Sequence, residues 1–187
     1  MQRALPGILA AFAAGVIVAA AVLAAKPRLA ATRSPVAPGF TEVEWPFLMD
    51  QWGPGKAFAC PAAACGADIG LYLRAKIGFC NCAAGVSDDD ELDRVGDVDL
   101  FGNDFAPLAT GHAVVIGGMA GRSRPYRIAG KPAAGLTVLA VAFNNRCDVI
   151  VATVAARNAA PADVEPATLA FLNGEVVQRW ARSALGL

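Results

Sequence analysis

Residues Thr137–Val154 read TVLAVAFNNRCDVIVATV. Two apolar runs flank Asn144-Asn145-Arg146, and asparagine tolerates the left-handed backbone that tight hairpin turns require. The pattern predicts a hairpin of strands Thr137–Phe143 and Cys147–Val154. Val138, Ala140 and Ala142 mark one face of the first strand, and Leu139, Val141 and Phe143 mark the other. A strand that is apolar on both faces is central and covered on both sides, so helices must pack on this sheet.

Further strands are expected upstream. Ile69–Lys76, IGLYLRAK, alternates well enough for a half-buried strand with Ile69, Leu71 and Leu73 on one face. Ala113–Ile116 and Tyr126–Ala129 are shorter candidates, separated by the turn-rich Gly121-Arg122-Ser123-Arg124-Pro125. The stretch Glu44–Cys60 sets Trp45, Phe47 and Trp52 among Pro46, Gly53, Pro54 and Gly55. It is too broken for a helix, and the expectation is an irregular edge whose aromatics cap the core, with an exposed partner-binding patch as the alternative.

Two helical regions are available. One starts at Asp88, where Asp88 and Glu91 form a capping pattern and Leu92 and Val95 begin an apolar stripe that Gly96 weakens. The other runs from Pro166 to Leu185, with Asp163 as a cap and Asn173-Gly174 breaking it in two. Leu169, Leu172, Val177, Trp180 and Ala184 recur there at near-helical spacing. Hairpins plus a terminal helix give an α+β domain, an antiparallel sheet with helices packed on it. A buried strand followed by a helix ending near a Trp resembles the PsbP/Mog1-type sandwich over roughly the last 50 residues. No diagnostic motif accompanies that likeness, so it implies a fold and no function.

The first 41 of the 187 residues differ from the rest. Gly7–Ala25, GILAAFAAGVIVAAAVLAA, lacks any charged or strongly polar side chain. Nineteen helical residues rise about 28 Å, close to the hydrocarbon thickness of a bilayer. Residues 1–25 are therefore expected to be a transmembrane anchor in contact with the membrane through 7–25. Val22-Leu23-Ala24 offers a small-residue cleavage site, which keeps an exported, cleaved signal segment open. Residues 26–41, KPRLAATRSPVAPGFT, read as a linker. Residues 42–187 then form one globular domain of ordinary size. All 16 acidic side chains fall in this part with 12 of the 16 basic ones, a net charge of −4. Nothing in that balance suggests nucleic acid as a partner.

Five cysteines, Cys60, Cys65, Cys80, Cys82 and Cys147, suit an oxidising compartment. Lys26, Arg28 and Arg33 follow the apolar segment and only Arg3 precedes it, so the positive-inside rule does not itself favour an outward domain. The cysteines and the Ala-rich segment lead to the expectation of a bacterial inner-membrane protein with its domain in the periplasm. Three readings of the cysteines compete. In the first, Cys60 pairs with Cys65 and one of Cys80 or Cys82 reaches Cys147, leaving one thiol. In the second, Cys60, Cys65, Cys80 and Cys82, joined by His112, hold Zn or Cu, although the C-x-C spacing departs from the usual pairs. In the third, Cys80-Asn81-Cys82 carries out thiol–disulfide exchange.

Other groupings point to no reaction. Asp88–Glu91 with Asp93, Asp97, Asp99 and Asp104 puts eight acids in seventeen residues. An EF-hand register from Asp97 fails, because Phe101 takes the fifth position and Leu108 the twelfth. An acidic first helical turn and a solvated loop account for them. Arg122, Arg124, Arg127 and Lys131 read as a solvated hairpin edge protected by charge, with pairing to the acidic loop or to anionic lipid headgroups as alternatives. His112 is the sole histidine, and neither a Gly-x-Ser-x-Gly elbow nor a phosphate loop is present, so no catalytic residue is assigned. The expectation is a non-enzymatic envelope protein, without cofactor, whose domain binds or helps assemble another envelope protein. A thiolate metal or thiol–disulfide factor is the alternative.

Overall fold

The structure is a computed structural model and describes residues 39–129 and 135–187. The expected anchor, most of the linker and Lys131 lie outside these residues. Among the described residues no helix is long and apolar enough to cross a membrane.

One antiparallel sheet organises the domain. Its strands are β1 (Thr41–Val43), β2 (Lys56–Cys60), β3 (Ile69–Lys76), β4 (Phe105–Pro107), β5 (His112–Ile116), β6 (Met119–Ile128), β7 (Leu136–Asn145) and β8 (Asp148–Arg157). Their spatial order is β1-β2-β3-β8-β7-β6-β4, with β5 also on β6. The helices are α1 (Ala62–Cys65), α2 (Asp89–Val95), α3 (Pro161–Leu172) and α4 (Glu175–Ala184), with a 3-10 helix at Val98–Phe101.

The sheet is covered on both faces, as the hairpin's composition requires. Leu139, Val141 and Phe143 join Leu71, Leu73 and Ile150 in a core that also takes Phe171, Leu172 and Val177 from α3 and α4. Val138, Ala140 and Ala142 face the other way, with Val149, Val151 and Tyr126, under Leu92, Val95 and Val98. Each fully buried Leu, Ile or Val contributes about 2 kcal/mol. The antiparallel α+β arrangement and the strand Ile69–Lys76 are as read from the sequence.

Several boundaries differ, each for a physical reason. Residues Gly39–Thr41 belong to the domain rather than the linker: Phe40 is buried and stacks on Phe171 at 4.2 Å, and β1 starts at Thr41. The hairpin reverses at Arg146-Cys147, where Arg146 takes φ 54°, and Asn144 and Asn145 complete β7. The segment Gly121–Pro125 is strand rather than turn. Gly117 and Gly118, at φ 58° and 84°, make the reversal instead, a conformation glycine adopts without a Cβ penalty. Pro125, which has no N–H, sits between the part of β6 that pairs with β5 and the part that pairs with β4. Helix α3 begins at Pro161, its first turn accommodating proline, so Asp163 lies inside the helix and Pro166 in its second turn. The break at Asn173-Gly174 is where the sequence puts it.

Candidate functional site

The second face of β3 carries Tyr72, Arg74 and Lys76. Alternation alone would send these side chains to solvent, yet Arg74 is 2% and Lys76 4% exposed. Both meet Asp97, which precedes the 3-10 helix. Arg74 Nε donates to the Asp97 carboxylate at 3.0 Å, and Lys76 Nζ lies 2.7 Å from it and donates to the Val95 carbonyl. Buried cations persist only when paired and hydrogen-bonded, and here one carboxylate serves two.

The second anion comes from the Trp45–Gly55 loop. Arg74 donates to Asp50, whose carboxylate also accepts the backbone N–H of Trp52. Burial alone would raise the Asp50 pKa, but these two hydrogen bonds outweigh it and hold the carboxyl below its ordinary value. The Arg74 guanidinium lies 5.3 Å from the Trp45 ring, and Lys76 Nζ lies over Trp52 and Phe79. Phe47 packs edge-on to Trp45, Tyr72 and Phe101. At Gly55 the loop crosses β3 so closely that a Cβ would fall 2.0 Å from the Leu73 carbonyl. The aromatics thus pack inward, half-buried, as the sequence suggests.

What the loop presents outward was not legible. Leu48 is 93% and Met49 71% exposed, between Phe47 and the pinned Asp50. Two large apolar side chains are held in water on a backbone fixed at both ends. Beside them a cavity of about 370 Å³ opens, lined among others by Asp50, Trp52, Lys76, Phe79, Arg94 and Tyr126. Several of its polar groups are paired with one another. Tyr126 donates to Asp93, Arg94 to Glu91, and Lys76 to Asp97. Burial and then the Asp93 contact push the Tyr126 hydroxyl pKa up. Such pairing stiffens the loop.

The acidic run supplies the first turn of α2 with Asp89, Asp90 and Glu91, and Asp90, Asp99 and Asp104 are exposed. Three of its members are docked, however: Asp97 on β3, and Asp89 and Asp93 on β6. Asp88 caps α2 by accepting from Glu91 N–H, as its spacing predicts. Asp89 and Asp93 then pair with Arg122 and Arg124 of β6, which are therefore not a free hairpin edge. Arg127 alone of that described basic set is exposed.

The cysteines separate into two places. Cys60 and Cys65 are joined across α1 with Cα atoms 6.0 Å apart, and Cys82 is joined to Cys147 at 4.2 Å. Cys80 is a buried free thiol. The first pair adjoins Ile69 at the start of β3 and the second follows Lys76 at its end, about 23 Å away at 3.3 Å per residue. The structure therefore does not gather Cys60, Cys65, Cys80 and Cys82 into one metal site. Nor does it bring His112 to them, since β5 lies four strands from β3. Among the described residues no cluster of three or more His, Cys, Asp or Glu side chains is arranged to hold a metal. His112 Nε2 lies 3.2 Å from Glu165, and the same carboxylate accepts the Ser123 hydroxyl. Histidine and serine share an acid instead of bonding each other, which is not the order of a nucleophile relay.

No family model matches this sequence. No curated protein matches it either. Among solved structures, the chain is similar to the solution structure of cyanobacterial PsbP (CyanoP) from Synechocystis sp. PCC 6803. The two are 15% identical with a TM-score of 0.41, over 71% of this chain and 76% of that one. A likeness at that level says nothing of what this chain binds.

Proposed function

We propose that this chain is a non-enzymatic protein of the bacterial envelope whose periplasmic domain binds a protein partner through the Leu48–Met49 knuckle. The observation that carries the reading is the pairing of extreme exposure with rigid support. Leu48 and Met49 project into water while Asp50 is tied to buried Arg74 and Phe47 is packed on Tyr72 and Phe101. Preorganised apolar side chains bind without the cost of ordering a loop, and large exposed apolar groups on a fixed backbone are the material of interface hot spots. Two disulfides agree with an oxidising compartment. Residues 7–25 would hold the domain at the inner membrane or carry it across.

The test is site-specific photocrosslinking in cells, with the probe at position 48 and a control at exposed Asp163 on α3. Position 48 should yield a discrete adduct that the control lacks. Met49→Asp, in the chain that carries the probe at position 48, should abolish it without lowering the thermal midpoint. Equal adducts at both positions, or a complex indifferent to the Met49→Asp charge, would remove the reading.

A further inference from the structure

We infer that Cys80, Cys82 and Cys147 form an exchange site in which Cys147 trades its disulfide partner between Cys82 and Cys80, moving the free thiol from the core to the surface. The inference stands apart from the Leu48–Met49 reading.

All five cysteines lie within the described residues, and three of them meet at the β7–β8 turn. Cys80 lies beside Cys147 much as a cross-strand neighbour does. Its backbone N–H donates to the Cys147 carbonyl at 2.9 Å, and its Sγ lies 3.1 Å from the Arg146 carbonyl. The approach is fixed from the other side as well, because Gly78 N–H donates to the Asp148 carboxylate at 2.7 Å. Backbones joined by such a hydrogen bond hold their Cα atoms about 5 Å apart, inside the range a disulfide spans. Cys147 therefore has two sulfurs within reach, one on either side of Asn81, and needs no refolding to change from one to the other.

The two positions differ in exposure. Cys80 is 6% exposed, whereas Cys82 lies on the exposed turn Asn81–Ala84. Exchange begins when the Cys80 thiol releases its proton to solvent and the thiolate attacks Cys147 Sγ. The Cys80–Cys147 bond forms, the Cys82–Cys147 bond breaks, and Cys82 leaves as a thiolate that takes up a proton. One disulfide and one thiol exist before and after, so no electrons enter or leave. Burial raises the Cys80 thiol pKa, as do the nearby charges of Glu91 and Asp148, against the opposing effect of Arg94. The Cys80 thiol is thereby kept protonated, and the form with the thiol inside is the one the structure holds. The exchanged form presents a surface thiol that takes a disulfide-bearing ligand: Cys82 joins one half as a mixed disulfide and the other half departs as a thiol.

The experiment uses the full native chain with glutathione disulfide at pH 8, an acid quench and non-reducing peptide mapping. The expected product carries glutathione on Cys82 together with a Cys80–Cys147 disulfide, and Cys80→Ser should lose the adduct entirely. An adduct on Cys80, no adduct at all, or an undiminished Cys82 adduct in Cys80→Ser would overturn the inference. Should Cys80→Ser fail to fold, Cys82→Ser decides the matter. It should contain a Cys80–Cys147 disulfide and no free thiol, and two free thiols would refute the exchange.

Discussion

The ammonium of Lys76 lies 2.7 Å from the carboxylate of Asp97, and neither side chain is more than 7% exposed. Arg74 holds the same carboxylate, so one buried anion serves two buried cations. Asp97→Asn leaves buried Lys76 without an anion and Arg74 with Asp50 alone, and should destabilise the domain by about 3–5 kcal/mol. Lys76→Met leaves Asp97 paired with Arg74 and should cost well under half of that. Urea unfolding of both variants measures the difference. Equal losses would mean that Asp97 is not the shared anchor.

The two disulfides close loops of very different length, with sequence separations of 65 and 5. In the chain-entropy account, Cys147→Ser should cost about 4 kcal/mol and Cys65→Ser about 2 kcal/mol. Guanidinium midpoints of non-reduced variants test the order. Greater damage from Cys65→Ser would assign the short bridge a packing role instead.

Acid and alkali should act through separate groups. The Arg94 hydrogen bond is the largest influence on Glu91 and lowers its pKa. Asp89 is also lowered, Arg122 and the Gly111 N–H overcoming its burial. Folded values below the unfolded ones mean stability that is present above about pH 4 and lost as pH falls through the folded values. Tyr126 runs the other way. Its raised folded pKa gives stability that is complete below about pH 10 and lost as pH climbs above it. Thermal midpoints across the pH range should show both declines. Asp89→Asn should flatten the acid limb and Tyr126→Phe the alkaline one. Limbs unchanged by these substitutions would place the linkage elsewhere.

An enzyme reporter active only in the periplasm, fused after Leu187, should be active in cells. Activity confined to a cytoplasmic reporter would reverse the proposed orientation. The mass of the mature protein separately distinguishes a retained anchor from a cleaved signal.

The parts legible in the sequence were those whose determinants are local. Asp88 caps α2 by accepting the Glu91 N–H, Asn173-Gly174 breaks the last helix, and the doubly apolar β7 and β8 demand cover on two faces. The parts that were not legible depend on partners distant along the chain. Gly-Arg-Ser-Arg-Pro reads as a turn until Asp89 and Asp93 neutralise Arg122 and Arg124 on a strand. Arg74 and Lys76 read as solvent-facing until Asp97 is found above them. Cys80 and Cys82 sit two positions apart, both within reach of Cys147, so spacing alone could not say which one pairs. Among the clustered apolar residues at 45–52, only the docking of Asp50 on Arg74 turns Leu48 and Met49 outward.

The pairing of β3 with β8 has a consequence for biogenesis. It joins Ile69 to Ala156 and Lys76 to Val149, positions far apart on the chain, whereas β7 and β8 meet across a two-residue turn. Local contacts form fast, and distant ones must first meet the entropy of closing a long loop. The sheet should therefore nucleate on its last-made hairpin. During synthesis β1, β2 and β3 emerge first and wait with one edge of β3 unpaired, open to proteases and to other strands. A nascent chain stalled before Val149 has no native partner for that edge, so quality control of this protein would act on unfinished chains more than on finished ones.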